Sequence, residues 1–225
     1  PFPSRRNALS TDIEYAASAA AKPENPVTWM LDEGDKKDEK AETPAMPPVA
    51  AALYKARTIL IFGEINDKVA ERVSAQLLAY AAEGDGDIKI VINSPGGHVE
   101  SGDTIHDMIA FVKPRVVMIG TGWVASAGAH IYLGAAKENR YCLPNTRFML
   151  HQPLGGVRGQ ASDIQIEAEE IIKMRKRINA IIARETGQPI EKVDVDTDRN
   201  YWMGPDEAKA YGIVSHIVSN MSEIG

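Results

Sequence analysis

From Thr58 onward, short apolar runs alternate with longer amphipathic ones, a rhythm that few folds can accommodate. Repeated strand–helix units bury both kinds of face around a mainly parallel sheet, so the chain is expected to be α/β. The spacing predicts strands over residues 59–62, 88–93 and 116–120, and helices over 67–82, 99–111 and 126–133. Two short strands, 140–143 and 148–151, flank Pro144. A short acidic helix over 191–198, a helix over 205–211 and a last strand over 213–218 close the chain. No internal repeat is visible.

The longest helical pattern covers 161–185, where Ile164, Ala168, Ile171, Ile172, Ile178, Ile181 and Ile182 are spaced to form a stripe. At about 1.5 Å per residue it would be about 37 Å long, and Gly187 and Pro189 stop it. Two readings stay open on pattern alone. The stripe either reaches beyond the subunit as an oligomer contact or lies across the sheet within one subunit.

Residues 1–50 differ in character. They hold seven of the chain's 13 prolines and the charge run from Asp32 to Lys40, which predicts a flexible or propeptide-like arm with Trp29, Met30 and Leu31 docking locally. Residues 51–225 form the expected folded domain. With 225 residues and 44% hydrophobic content, one sizeable core is affordable. A net charge of −6 without a Lys/Arg stripe argues against a nucleic-acid surface. The single Cys142 cannot form an internal disulfide and fits a reducing compartment. No apolar run reaches the roughly 18 residues of a membrane span, and no signal-peptide core opens the chain. A cytoplasmic location is the default expectation.

The small-residue stretch Gly122–His130 follows the apolar run Val116–Ile119 and holds Ser126 where a helix opens. A hydroxyl there is a candidate nucleophile, and equally a packing residue or helix cap. The glycine turn Ser94–Pro95–Gly96–Gly97 could offer backbone donors to an oxyanion, and it lacks the ending of a phosphate loop. His151, before Gln152–Pro153, is the nearest downstream base. His130, one helical turn after Ser126, reads as a packed histidine directed away from substrate. His98, His106 and His216 have no metal-ligand spacing, and Asp194, Asp196 and Asp198 read as a solvated face rather than a calcium loop. No metal or cofactor is expected.

Together the motifs Ile92–Gly97, Ala125–Ala129, Cys142–Asn145 and His151–Gly156, with Gly159–Ala161, closely resemble the Clp peptidase family (ClpP) from about Leu53 to Val218. The resemblance implies a crotonase-like α/β fold whose protruding "handle" helix, matching 161–185, interlocks two heptameric rings into a tetradecamer. It implies Ser126 as nucleophile, His151 as general base, and the N–H groups of Gly97 and Ala127 as oxyanion donors. The family's usual third-member aspartate is replaced by Asn200, which would slow catalysis. Asp198 is expected to pair with Arg199 across the ring interface. Lys89 and Val91 stand where the family commonly carries aromatic residues of the unfoldase-docking pocket, and residues 1–48 do not match its short axial segment.

The expected function is therefore a serine endopeptidase subunit of a self-compartmentalising homo-oligomeric ring, cleaving small or unfolded polypeptides by acyl-enzyme chemistry. Its partners would be peptide substrate, an AAA+ unfoldase and a ClpP paralogue. The alternative is a noncatalytic or weakly active structural subunit of a mixed ring. An acyl-CoA enzyme of the wider crotonase fold ranks last, because it leaves the Ser126 and His151 motifs without a role.

Overall fold

A computed structural model describes residues 47–156 and 158–225. The chain runs α1 (Pro48–Lys55), β1 (Thr58–Phe62), α2 (Asp67–Glu83), β2 (Ile88–Ser94), α3 (Val99–Phe111), β3 (Val116–Ala125) and α4 (Ala127–Tyr132). It continues through β4 (Arg140–Cys142), β5 (Arg147–Leu150), α5 (Ala161–Thr186), α6 (Ile190–Asp196), β6 (Tyr201–Met203), α7 (Pro205–Tyr211) and β7 (His216–Ile217).

The strands pair in the order β1–β2–β3–β4–β7, all parallel, and β5 joins the far half of β3, also in parallel. Among the described residues only β6 runs antiparallel, against β5. The fold is α/β with a mainly parallel sheet, as the alternation predicts. Ile88, Ile90 and Ile92 project from one face of β2 and are fully buried. Burying each side chain contributes roughly 1.5–3 kcal/mol as an upper estimate. That face carries the main core with Ile59, Ile61, Val73, Leu77 and Ile105, under α2, α3 and α4. The opposite face holds a smaller cluster of Val117, Ile119, Tyr141 and Val218, and leaves Phe62 and Trp123 half exposed.

Strand β3 is the element that positions the rest. Its first half pairs with β4 and its second half with β5, and its register against β2 shifts by a bulge between Gly120 and Val124. The expected strand 116–120 is thus five residues longer, to Ala125. Gly122 and Ala125 resemble turn residues, but pairing with Arg147–Met149 overrides that local preference. The expected helix 126–133 begins one residue later, because Ser126 is not helical. The expected strand 213–218 shrinks to the two residues paired with Tyr141 and Cys142.

Two elements lie outside the sequence expectations. Helix α1, opened by Pro48 at its first position, takes residues 48–50 out of the expected arm. Strand β6 is too short to show a period and exists through its pairing with β5. The rest of the expected arm, with Trp29, Met30 and Leu31, lies outside the described residues.

Helix α5 has 26 residues, about 39 Å at 1.5 Å per residue. Its two halves have different surroundings. Residues 161–170 are all exposed, including Ile164 and Ile166, whereas Ile178, Asn179 and Ile182 are buried against the domain. The stripe is thus buried against its own domain over its C-terminal half and uncovered over its N-terminal half.

Candidate active site

Ser126 joins the end of β3 to α4 with φ 55° and ψ −124°. Among the described residues only Arg57 shares a positive φ without being glycine. A β-carbon is crowded in that region, at a cost of order 1–3 kcal/mol, so surrounding contacts must impose it. They do. The Ser126 N–H donates to the Met149 carbonyl (2.9 Å), and its carbonyl accepts from the His130 N–H (3.1 Å). The hydroxyl does not cap α4. It lies 2.7 Å from His151 Nε2 instead, so the sharp turn presents Oγ to the imidazole.

The glycine turn after β2 packs directly on this serine. A β-carbon on Gly96 would come within 2.5 Å of Ser126 Cβ, and one on Gly97 within 2.2 Å of the Ile65 carbonyl. Gly97 has φ 148°, and only glycine fits both its backbone and its space. The flanking Ile65 N–H and His98 N–H are used in bonds to Gly96 and Ile65 carbonyls. No backbone carbonyl among the described residues takes the Gly97 N–H. Ala127 is the first residue of α4, so its N–H has no intrahelical acceptor.

His151 follows the last residue of β5. Burial pushes its pKa below the ordinary histidine value of 6.5, and the side chain of Asn200, just before β6, acts in the opposite direction. The β5–β6 pairing brings these two residues together, since Leu150 faces Tyr201. Next door, the Gln152 N–H donates to the Thr197 carbonyl (2.6 Å), and its side-chain amide donates to the Asp198 carbonyl (2.6 Å). Arg175, on α5, donates to Gln152 Oε1 (3.0 Å) and to Asp198 Oδ1 (3.3 Å). Asp198 is therefore engaged within the subunit by Arg175.

An apolar cleft opens beside Ser126 and His151, walled by Val99, Ala127, Leu150, Pro153, Ile178 and Ile182, and His130 forms part of it. His130 is packed, at 4% exposure. It does not point away from the cleft as its helical spacing suggests, because α4 is a single short helix whose inner face borders both core and cleft. His106 stacks on it, with ring centroids 4.4 Å apart.

The remaining candidates separate. His98 lies within reach of Asp67, Glu100 and Ser101, and His216 stacks on Tyr141. Asp194 accepts from Asn179 and Asp196 from Lys192 and Tyr211. Asp196 is thus a structural anchor of α6 and α7, at 14% side-chain exposure, rather than part of a solvated face. Cys142 is buried and its thiol is pushed up to about 12 by that burial, which removes it as a nucleophile. Sequence reasoning missed Arg175 and Gln152 as supports of the His151 segment. The adjacency of Gln152 to His151 was the available signal.

A parallel α/β sheet that holds a hydroxyl against an imidazole in a strained strand-to-helix turn defines the class: an α/β protein with a nucleophile–base pair. The sequence pattern of the Clp protease family matches residues 41–221. The ATP-dependent Clp protease proteolytic subunit 3 of Rhizobium meliloti is 58% identical over 87% of this chain and all of its own length. Proteolytic subunit 2 of Gluconobacter oxydans is 58% identical over 83% of this chain and 85% of its own. The solved structure of ClpP1 from Listeria monocytogenes is 55% identical, with a TM-score of 0.72 over 79% of this chain and 99% of that one. An Asn-to-Asp mutant of it gives 0.74 over the same shares. The chain belongs to the Clp protease family.

Proposed function

We propose that this chain is a serine endopeptidase subunit that cleaves small or unfolded polypeptides through an acyl-enzyme. The observation that carries the reading is the 2.7 Å contact between Ser126 Oγ and His151 Nε2 across a backbone strained at Ser126 alone among the site residues. His151 takes the serine proton as Oγ attacks the peptide carbonyl, then returns it to the leaving amine. The Gly97 and Ala127 N–H groups receive the oxyanion. Asn200 orients the imidazole. Its contact favours the protonated ring, the sign expected when the amide oxygen accepts from Nδ1–H and leaves Nε2 free for the serine. A fluorophosphonate should label this protein at one residue, Ser126, as mapped by peptide mass spectrometry. Labelling elsewhere, or none, would remove the assignment.

The pH dependence follows from the direction of the His151 shift. A base with a depressed pKa stays neutral to lower pH, so kcat/KM should lose its acid limb below pH 6.5, the ordinary value. A midpoint above 6.5 in a pH–rate profile would contradict the burial argument.

The exposed half of α5 supports assembly into stacked rings. Ile166 is 58% and Ile172 is 54% exposed on a helix that has left its own core, and apolar stripes of this kind are covered by partners. Ile166→Asp should break the assembly into smaller species in sedimentation velocity, with the fold intact by circular dichroism. The relatives are named ATP-dependent, and on that ground we extend an ATP-driven unfoldase partner to this chain.

A second reading, a weakly active structural member of a mixed ring, is favoured by one observation, the neutral Asn200. If a mixed ring with an active homologue turns over equally with and without Ser126→Ala, this second reading is the correct one.

A further inference from the structure

Helix α4 carries the Ala127 N–H, yet it has only six residues, too few to fix its own orientation, and no side chain caps its start. Contacts from α3 hold it. A β-carbon on Gly102 would come within 3.2 Å of Ala127 Cβ, so the two helices touch at the first residue of α4. One turn further along α3, His106 Nδ1 lies 2.9 Å from the His130 carbonyl, and the two rings stack. Between these contacts sits a charge. Asp103 places Oδ1 2.8 Å from His130 Nε2, and its other oxygen accepts from Arg177 of α5 (2.7 Å). Burial alone would raise the Asp103 carboxyl, but its contacts with His130 and Arg177 outweigh this and hold it well below the usual carboxylate range. Asp103 is therefore ionised, at 17% side-chain exposure. One carboxylate from α3 thus meets α4 with one oxygen and α5 with the other. The same three helices supply Val99, Ala127, Ile178 and Ile182 to the walls of the cleft beside Ser126.

We propose that Asp103 is a positioning residue, which ties α4 to α5 so that the Ala127 N–H stays aimed at the oxyanion. The inference rests on the peptidase reading of Ser126 and His151. Complete loss of one oxyanion donor costs about a hundredfold to a thousandfold in kcat. A loosened α4 keeps the donor but misdirects it, so part of that loss is expected. The apolar walls stay in place, so substrate binding should change little.

The test is made on the full chain with Asp103→Asn, which keeps the shape and removes the charge. Its kcat should fall about tenfold, with KM within about twofold of the parent. Arg177→Met should lower kcat about fivefold, and Arg177→Lys, which retains the ion pair, should recover most of that rate. Amide hydrogen exchange over residues 127–132, read by mass spectrometry, should be faster in Asp103→Asn and in Arg177→Met than in the parent. An unchanged kcat in either variant, a loss carried by KM alone, or unchanged exchange overturns the proposal. Arg177 is half exposed on α5, so its variants decide the matter if Asp103→Asn does not fold. A parent that hydrolyses no peptide, or hydrolysis that survives Ser126→Ala, would instead remove the peptidase reading, and the exchange rates would still decide whether Asp103 holds α4.

Discussion

Ser126→Ala should lower peptide hydrolysis by at least about ten-thousandfold, roughly 5.4 kcal/mol of barrier, leaving only the small rate that backbone donors and binding sustain. The expectation is this large because, among the described residues, no second hydroxyl stands in the same relation to a base. Ser101 is the nearest imitation, with His98 and Asp67 beside it, but it is 3% exposed and its hydroxyl donates to Asp67 at 2.6 Å. Removing His151 should cost a comparable amount, and the double variant little more than either alone, since nucleophile and base act as one unit. The variant should fold at least as well as the parent. Its β-carbon keeps the same strained backbone at φ 55°, and the hydroxyl it loses does not cap α4. Unchanged hydrolysis of a purified preparation would reject Ser126 as nucleophile, and additive losses in the double variant would reject the pairing with His151.

Much of the fold is legible in the sequence because the signals are local and long. The 13 residues of α3 and the seven of α7 fall where helical spacing and their bounding residues place them, and the alternation of Ile88, Ile90 and Ile92 announces β2. What stays hidden depends on partners distant in the chain. The end of β3 becomes strand because residues 123–125 pair with β5 and Val124 also meets Ser94 of β2. Strand β6 exists only because β5 is there to receive it. The site divides in the same way. Ser126, Gly97 and His151 sit in motifs that can be quoted from the chain, whereas the place of His130 in the cleft depends on how α4 packs against Leu150 and Ile178. Even the bland reading of Ser126, as a helix cap, could be discarded only once its hydroxyl was seen to face an imidazole.

Asn200→Asp should raise kcat, by about tenfold or more, and move the acid limb of the pH–rate profile upward. The two effects share one cause. An amide can hold Nδ1–H in place but carries no charge to balance the imidazolium that forms as Ser126 gives up its proton. In trypsin the reverse exchange costs about ten-thousandfold in kcat, an upper bound here because the native amide already favours the protonated ring. A carboxylate in the same position would add a charge to that preference and raise the His151 pKa, so half-maximal kcat/KM would occur at higher pH than in the parent. Position 200 is exposed, so the new carboxylate is hydrated and the gain falls short of that of a buried aspartate. Asn200→Ala separates orientation from charge. If the amide orients the ring, Ala should be slower than Asn, and Asp faster than both. Equal rates for Asn and Ala would mean that the His151 segment is held by Gln152, Thr197 and Arg175 alone, through the contacts seen at 2.6 and 3.0 Å. A faster Asp variant with an unmoved acid limb would place the gain in assembly or folding instead of in proton transfer.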